Sequence, residues 1–283
     1  MKRRAFAQAT VAGLCAAATG MGTRAMGEER RAEPAAAGTE IYELRTYTLK
    51  AAKLPLLDAY LKEALIPAAH RLGLGPVGVF SEIESTEREV VSKKNTDTAA
   101  PAGMQRVTIL LIHKSADSAL ALPAALAADT AYLKAADEYL GVKADDPAYR
   151  RIGTVLVKAI AGMPKIEKPD PTKARLFNLR VYESHNERAA AKKIEMFEKG
   201  EIEIFRQNGL TPVFFASALT GPNLPNLTYF LVFPDDDNRK ASWGKFVKDP
   251  AWKKLSSMPE YADKEIVSTI TNKLLAPRAY SEI

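Results

Sequence analysis

The chain has little of what most catalytic centres are built from. Its one cysteine, Cys15, lies in an apolar N-terminal run, and it has three histidines, His70, His113 and His185. A single cysteine excludes a disulfide framework within the chain and any site built on several thiolates. There is no His-x-x-x-His pair, no Gly-x-Ser-x-Gly elbow, no P-loop and no Gly-x-Gly-x-x-Gly fingerprint. Zincin, serine-hydrolase, nucleotide and Rossmann chemistry therefore have no support. Asp235-Asp236-Asp237 followed by Asn238 resembles a fragment of a calcium loop, but it lacks the glycine and the distant glutamate and reads as a turn and helix cap. No catalytic residue, metal site or cofactor is expected on these grounds.

A strong excess of one charge is lacking too. Lys and Arg number 40 against 34 Asp and Glu, a formal net charge of +6. Lys2, Arg3, Arg4 and Arg24 lie before Gly27 with no acid among them, so the remainder carries 6 − 4 = +2. That balance gives no reason to expect a nucleic-acid partner. The uncharged run from Ala5 to Ala18 is too short for a comfortable membrane span. Preceded by Lys2-Arg3-Arg4, it reads as an export signal over residues 1–27, of the twin-arginine kind although Lys2 stands where Ser or Thr is usual. Thr23-Arg24-Ala25 offers the cleavage site and Ala25-Met26-Gly27 a second; a retained N-terminal anchor is the bland alternative. A lipoprotein reading at Cys15 fails on Leu14. The expected location is periplasmic or extracellular, with no membrane span after removal of the signal. Residues 28–39, polar and Ala-rich, read as a disordered spacer.

What is present is an internal near-copy. Tyr42-Glu43-Leu44-Arg45-Thr46-Tyr47 returns as Phe177-Asn178-Leu179-Arg180-Val181-Tyr182, an offset of 177 − 42 = 135. A helix from about Lys50 to Arg71 carries Leu54, Leu57, Leu61 and Leu65 at helical spacing, with Pro67 expected to kink or shorten its last turn. In the second copy Ser184 and Glu187 form a capping box that places the helix start near His185. Gly73 and Gly209 end the two helices. Strands follow at Pro76 to Ile83 and Pro212 to Leu219, then at Val107 to His113 and Leu227 to Phe233. The offset falls from 212 − 76 = 136 to 228 − 108 = 120, so the first copy holds about sixteen extra residues between Glu84 and Gln105. These read as a surface hairpin, with a lid as the alternative. A second helix spans about Asp117 to Leu140, with Leu122, Leu126, Leu133 and Leu140 on one face. Its counterpart, Asn238 to Leu255, restarts at Asp249-Pro250, a break that Thr130 is not expected to impose on the first copy. Closing strands lie near Arg151 to Ile160 and Ile266 to Leu275.

Each copy thus reads β-α-β-β-α-β, a ferredoxin-like unit. The organisation is repeat 1 at 40–160, a Pro-rich linker at 161–173 and repeat 2 at 174–283. The third strands are apolar on both faces, which implies two sheets packed face to face as one α/β barrel with the helices outside. In the second copy Phe177, Leu179 and Val181 share one face, expected against the helices. Asn178, Arg180 and Tyr182, and by the same register Glu43, Arg45 and Tyr47, are then expected in the barrel interior, with His113 at its mouth.

The opening strand motif, Gly209-Leu210-Thr211-Pro212, Leu227-Thr228-Tyr229, Trp243, Phe246, Asp249-Pro250-Ala251-Trp252 and Leu275-Ala276-Pro277 together resemble the NIPSNAP family of the dimeric α/β-barrel group. Asp146-Pro147-Ala148-Tyr149 and Gly162-Met163-Pro164 are like its exported bacterial members. Asn178 departs from the motif's Glu, and Thr130 from its Pro. The resemblance implies the fold but no defined biochemistry; relatives in the wider fold group include small monooxygenases.

Two functions follow. One is a noncatalytic binding or interaction protein whose barrel holds a small apolar or anionic ligand, with Glu43, Arg45, Tyr47, His113, Asn178, Arg180 and Tyr182 as candidate ligand-binding residues. The alternative is a cofactor-independent enzyme of the monooxygenase type using the barrel interior as substrate pocket. The bland reading of the same arginines is a structural ion-pair network, and that of Trp243 and Trp252 is core packing. Association with further copies of the chain is also open.

Overall fold

A computed structural model of the protein describes residues 38–83 and 100–283. The export signal, nearly all of the spacer and most of the Glu84 to Gln105 insertion lie outside the described residues. Among the described residues there are eight strands: β1 Ile41–Lys50, β2 Gly78–Ile83, β3 Met104–His113, β4 Arg151–Ala159, β5 Leu176–Glu183, β6 Thr211–Ala218, β7 Asn226–Phe233 and β8 Thr269–Pro277. They close into one antiparallel barrel in the order β1-β3-β2-β8-β5-β7-β6-β4. Read from β4, each half has the same arrangement, β4-β1-β3-β2 and then β8-β5-β7-β6. Two seams join the halves: β2 with β8, from Phe80 opposite Pro277 to Ile83 opposite Leu274, and β4 with β6, from Val157 opposite Ala218 to Ala159 opposite Ala216.

The helices lie outside the barrel. The first long helix is α1 Leu54–Tyr60, a single π turn Leu61–Leu65, and α2 Ile66–Arg71. Pro67 thus does not shorten the helix; the π turn ends just before it and the chain stays helical to Arg71. The second half repeats this as α6 Glu187–Met196, a π turn Phe197–Glu201 and α7 Ile202–Gln207, so that Leu61 and Phe197, 136 residues apart, open equivalent turns. Both helices close on glycine in the left-handed region, Gly73 at φ 71° and Gly209 at φ 79°. In each, the following leucine donates back to the helix, Leu74 N to Ala69 O and Leu210 N to Phe205 O, both 2.9 Å, the hydrogen bond of a Schellman cap. The N-cap of α6 is Asn186, whose side chain accepts from Ala189 N at 2.9 Å. Ser184 instead donates to Ile266 O, in the helical turn before β8, at 2.6 Å, so the expected capping box does not form.

The other α-helical segments among the described residues are α3 Ala116–Ala128, α4 Thr130–Ala135, α5 Asp137–Leu140, α8 Asp236–Phe246, α9 Pro250–Ser256 and the single turn α10 Asp263–Ile266. The break before α9 has a counterpart before α4, contrary to the expectation for Thr130. Asp129 leaves the helix at φ −86°, ψ 101° and accepts from Tyr132 N, as Asp249 accepts from Ala251 N and Trp252 N. An aspartate cap is sufficient; the proline is not required. The break resets the helix phase, which buries Tyr132, Ala136 and Tyr139 and leaves Leu133 and Leu140 in water.

Three apolar layers result. The barrel interior is packed by Tyr42, Leu44, Phe80, Leu110, Phe177, Leu179, Phe214, Phe230 and Leu275. Phe177 lies 4.8 Å from Phe80 and 4.9 Å from Phe230 between ring centroids, and Tyr42 lies 4.6 Å from Phe214. The second layer joins Tyr47, Ile109 and Leu111 to Leu57, Leu61 and Leu65. The third joins Tyr182, Tyr229 and Leu231 to Met196, Phe197 and Phe205.

Candidate functional site

The interior aromatics overturn the face assignment drawn from the sequence. Phe177 and Leu179 point into the barrel with Tyr42 and Leu44, so Asn178, Arg180 and Tyr182, like Glu43, Arg45 and Tyr47, point outward beneath the helices. The reason is that both faces of these strands are buried. An apolar triplet then marks no face in particular, and the aromatic rings take the closed interior because the helices can cover polar groups with acceptors of their own. The barrel centre is filled by side chains, and the expectation of a substrate pocket there does not hold.

The predicted residues nonetheless gather, in two separate groups. Beneath the first helical layer, Glu43 accepts from Arg45 Nη2 at 2.6 Å and Nε at 2.9 Å, and its other oxygen lies 3.1 Å from His113 Nε2. The opposite ring nitrogen of His113 lies 3.2 Å from Ser118 Oγ, on the first turn of α3. Burial pushes the Glu43 carboxyl up, but the His113 hydrogen bond and the Arg45 guanidinium outweigh it and hold the group below the usual carboxylate range. Tyr47 lies within reach of Arg45 and Tyr139, and its hydroxyl is pushed up by burial against the pull of Arg45. Each charge here has its partner inside the group, as in a structural network.

Beneath the second layer the composition differs. Asn178 donates to Asn272 Oδ1 at 2.5 Å and Lys273 O at 3.2 Å. The Arg180 guanidinium lies over the Trp243 ring, 4.4 Å from its centroid, and 5.5 Å from that of Tyr182. Tyr229 donates its hydroxyl to that of Tyr182 at 2.7 Å. Lys193 on α6 and Glu201 at the end of the π turn form an ion pair of 3.1 Å whose side chains are 1% and 2% exposed. From the sequence Glu201 stands out as the charge that interrupts the stripe of Ala190, Ile194, Phe197 and Ile204, but its pairing with Lys193 is not legible there. His70 and His185 stand apart and exposed, His70 paired with Glu282 at 3.0 Å.

A third location was missed altogether. Along the β2–β8 seam an open cleft of about 640 Å³ is lined by Asp58, Lys62, Glu63, Ser81, Arg278 and Tyr280, with Ala59, Ala276, Pro277 and Ala279 as its apolar wall. Arg278 bridges Asp58 and Ser81, the latter at 3.2 Å, and Tyr280 donates to Asp58 at 2.5 Å. Burial and then Asp58 push the Tyr280 hydroxyl up. The volume suits a small molecule. These residues come from α1, β2 and the segment after β8, too far apart in sequence to read as a motif.

Residues 177–282 match the NIPSNAP family model. Among solved structures, a candidate monooxygenase from Lactobacillus acidophilus NCFM is similar at 11% identity over 84% of this chain and 94% of that one, with a TM-score of 0.51. A NIPSNAP-like domain protein from Burkholderia xenovorans is similar at 17% identity over 38% of this chain and 90% of its own, TM-score 0.35. A NIPSNAP family protein of unknown function from Agrobacterium tumefaciens C58 is similar at 19% identity over 38% and 93%, TM-score 0.35. At these identities the likeness concerns fold alone. Comparison with curated proteins gives no match. Among the described residues no cluster of His, Cys, Asp and Glu is arranged to hold a metal, and no helix is long and apolar enough to cross a membrane.

Proposed function

We propose that the chain is an exported, noncatalytic binding protein made of two NIPSNAP-like units in tandem, and that it holds a small molecule in the cleft along the β2–β8 seam. A difference between the two seams carries this reading. Arg278 N donates to Val79 O and Ile160 N to Phe215 O, so Arg278 and Ile160 occupy the same place at the two seams. At the β4–β6 seam the place is apolar: Ile160 and Met163 are buried in the second helix–sheet layer, and Ile194 of α6 packs against the same layer. At the β2–β8 seam the residues in register are charged or polar, Arg278 for Ile160 and Asp58 for Ile194, and the cleft stands open. The fold therefore closes with apolar residues at one seam and departs from them at the other, where closure alone gives no reason for the departure.

Two acids and two bases line the cleft, Asp58, Glu63, Lys62 and Arg278. The formal charge is zero, which suits a ligand with an apolar body and a polar head more than a strongly charged one. The monooxygenase reading depended on an open barrel interior, and the packed phenylalanines leave it without a substrate pocket. Export rests on Arg3, Arg4 and the apolar run behind them.

Native against denaturing mass spectrometry on protein purified from its own cells tests both parts. A stoichiometric small mass lost on denaturation is expected in the wild type and absent from the Asp58→Ile, Arg278→Ile double variant, which restores the apolar pair of the other seam and should fold. A ligand retained by that variant would remove the cleft from consideration. The same spectra should show a polypeptide shortened by the N-terminal segment, and a full-length mass would oppose export with cleavage.

A further inference from the structure

We propose that Ser118 is a nucleophile that accepts a single acyl group from an activated ester or thioester, with His113 as its base and Glu43 as the group that positions the base. His113 joins the other two: its Nδ1 lies 3.2 Å from Ser118 Oγ and its Nε2 lies 3.1 Å from a Glu43 oxygen. A hydroxyl within hydrogen-bond reach of an imidazole that a third group orients is the arrangement of an activated nucleophile. Glu43 sets the tautomer. Against the push of burial, the His113 hydrogen bond and Arg45 hold its carboxyl below the usual carboxylate range, so near neutral pH it is ionised and can only accept. In the neutral ring Nε2 therefore carries the hydrogen and donates it to Glu43. The lone pair is left on Nδ1, facing the Ser118 hydroxyl.

The second half of the chain shows that the fold does not require this relay. His113 pairs opposite Ile41 in β3, and the equivalent residue opposite Leu176 in β7 is Phe233. Glu43 corresponds to Asn178. Ser118 is the third residue of α3, and the third residue of α8 is Asn238, whose side chain donates back to its own cap, Asp235, at 2.9 Å. All three places are filled differently in a half that folds the same way. The relay is also invisible as a motif, since Ser118 follows His113 by 5 residues and Glu43 precedes it by 70.

Unlike its two partners, Ser118 is at the surface. His113 is 0% and Glu43 4% exposed, whereas Ser118 is half-buried and residues 114–117 before it are exposed. A small acyl donor thus approaches the hydroxyl from solvent and needs no opening into the packed layer. The positive end of α3 lies at the same turn and favours the negative charge that develops on the attacked carbonyl oxygen. In the transfer the bond from Ser118 Oγ to the acyl carbon forms and the bond from that carbon to the leaving oxygen or sulfur breaks. The proton passes from Oγ to His113 Nδ1 and then to the leaving group. One transfer suffices, so the inference requires no turnover and is independent of the β2–β8 cleft.

Brief exposure of the full chain to p-nitrophenyl acetate, followed by digestion and mass-spectrometric mapping, tests the assignment. Ser115 is the internal reference: it is exposed, three residues away, and its hydroxyl accepts from Ser118 N. Acetylation of Ser118 should exceed that of Ser115 by at least about tenfold in rate, the low side of what a positioned base supplies. His113→Phe, which installs the residue of the second half, should bring Ser118 down to the Ser115 rate. Glu43→Gln should slow Ser118 several-fold and leave Ser115 unchanged. If His113→Phe does not fold, the ratio of the two serines in the wild type decides. Equal rates at the two serines, an acetyl group on Lys114 without one on Ser118, or undiminished labelling of Ser118 in folded His113→Phe would overturn the proposal.

Discussion

Glu43 shows what a single buried carboxylate does in this fold. It is 4% exposed and holds Arg45 with one oxygen and His113 with the other. Removing one partner of a buried pair costs about 3–5 kcal/mol; the Arg45 side chain keeps 16% exposure, so screening brings the expectation for Glu43→Gln to roughly 2–3 kcal/mol. Because the folded-state carboxyl titrates below its ordinary value of 4.5, its contribution is complete above that value and is lost as pH falls through the lower, folded one. Urea unfolding of wild type and Glu43→Gln should therefore differ most at neutral pH and converge on the acid side. A gap that stays constant with pH would mean that the charge of Glu43 is not what stabilises. At this scale the sequence was legible in part: Glu43 with Arg45 was readable from spacing alone, and His113 beside them was not, since its approach depends on Ile41 pairing opposite His113. The face these residues occupy was misread because Phe177 and Leu179 look equally suited to a helix interface and to a closed interior.

Elements were more legible than residues, because the two halves check each other. The offset of 136 located both glycine stops, and the pair gives a comparison that a single helix could not. Gly73 and Gly209 share the left-handed conformation, but a methyl group at Gly73 would meet only the Lys114 ammonium at 4.0 Å, whereas at Gly209 it would meet Ser242 Oγ at 3.0 Å. Left-handed backbone costs a non-glycine residue about 1–2 kcal/mol. Gly73→Ala should lose about that much stability, and Gly209→Ala measurably more, both read from urea midpoints at unchanged slope. Equal losses would show that Ser242 rotates away freely. The capping box at Ser184 failed because the serine has another acceptor within reach: Ile266 O, in the helical turn before β8, accepts from its hydroxyl. The break at Asp129 was hidden because attention to proline obscured the aspartate, which ends one helix and caps the next without it.

The closed barrel makes the two halves one folding unit. Phe80 comes from the first half, Phe177 and Phe230 from the second, and their rings meet in the interior. Neither half can bury that face alone. Residues 174–283 expressed by themselves would leave Phe177, Leu179, Phe214, Phe230 and Leu275 uncovered, and would leave β6 without β4 and β8 without β2. Bare edges beside a bare apolar face seek a partner. A second copy supplies one of the right shape, since its β6 and β8 can stand where β2 and β4 stand in the intact chain, closing an eight-strand ring with two-fold symmetry. Light scattering on the isolated half should therefore give twice its chain mass in the soluble fraction, with unfolding midpoints that rise with protein concentration. The full chain should instead unfold in one transition independent of concentration, because its second half is already present at high effective concentration through the 161–173 connection. A soluble, folded, monomeric half would show that the helix–sheet layer suffices without the interior, and the barrel would then be a docking of two finished domains.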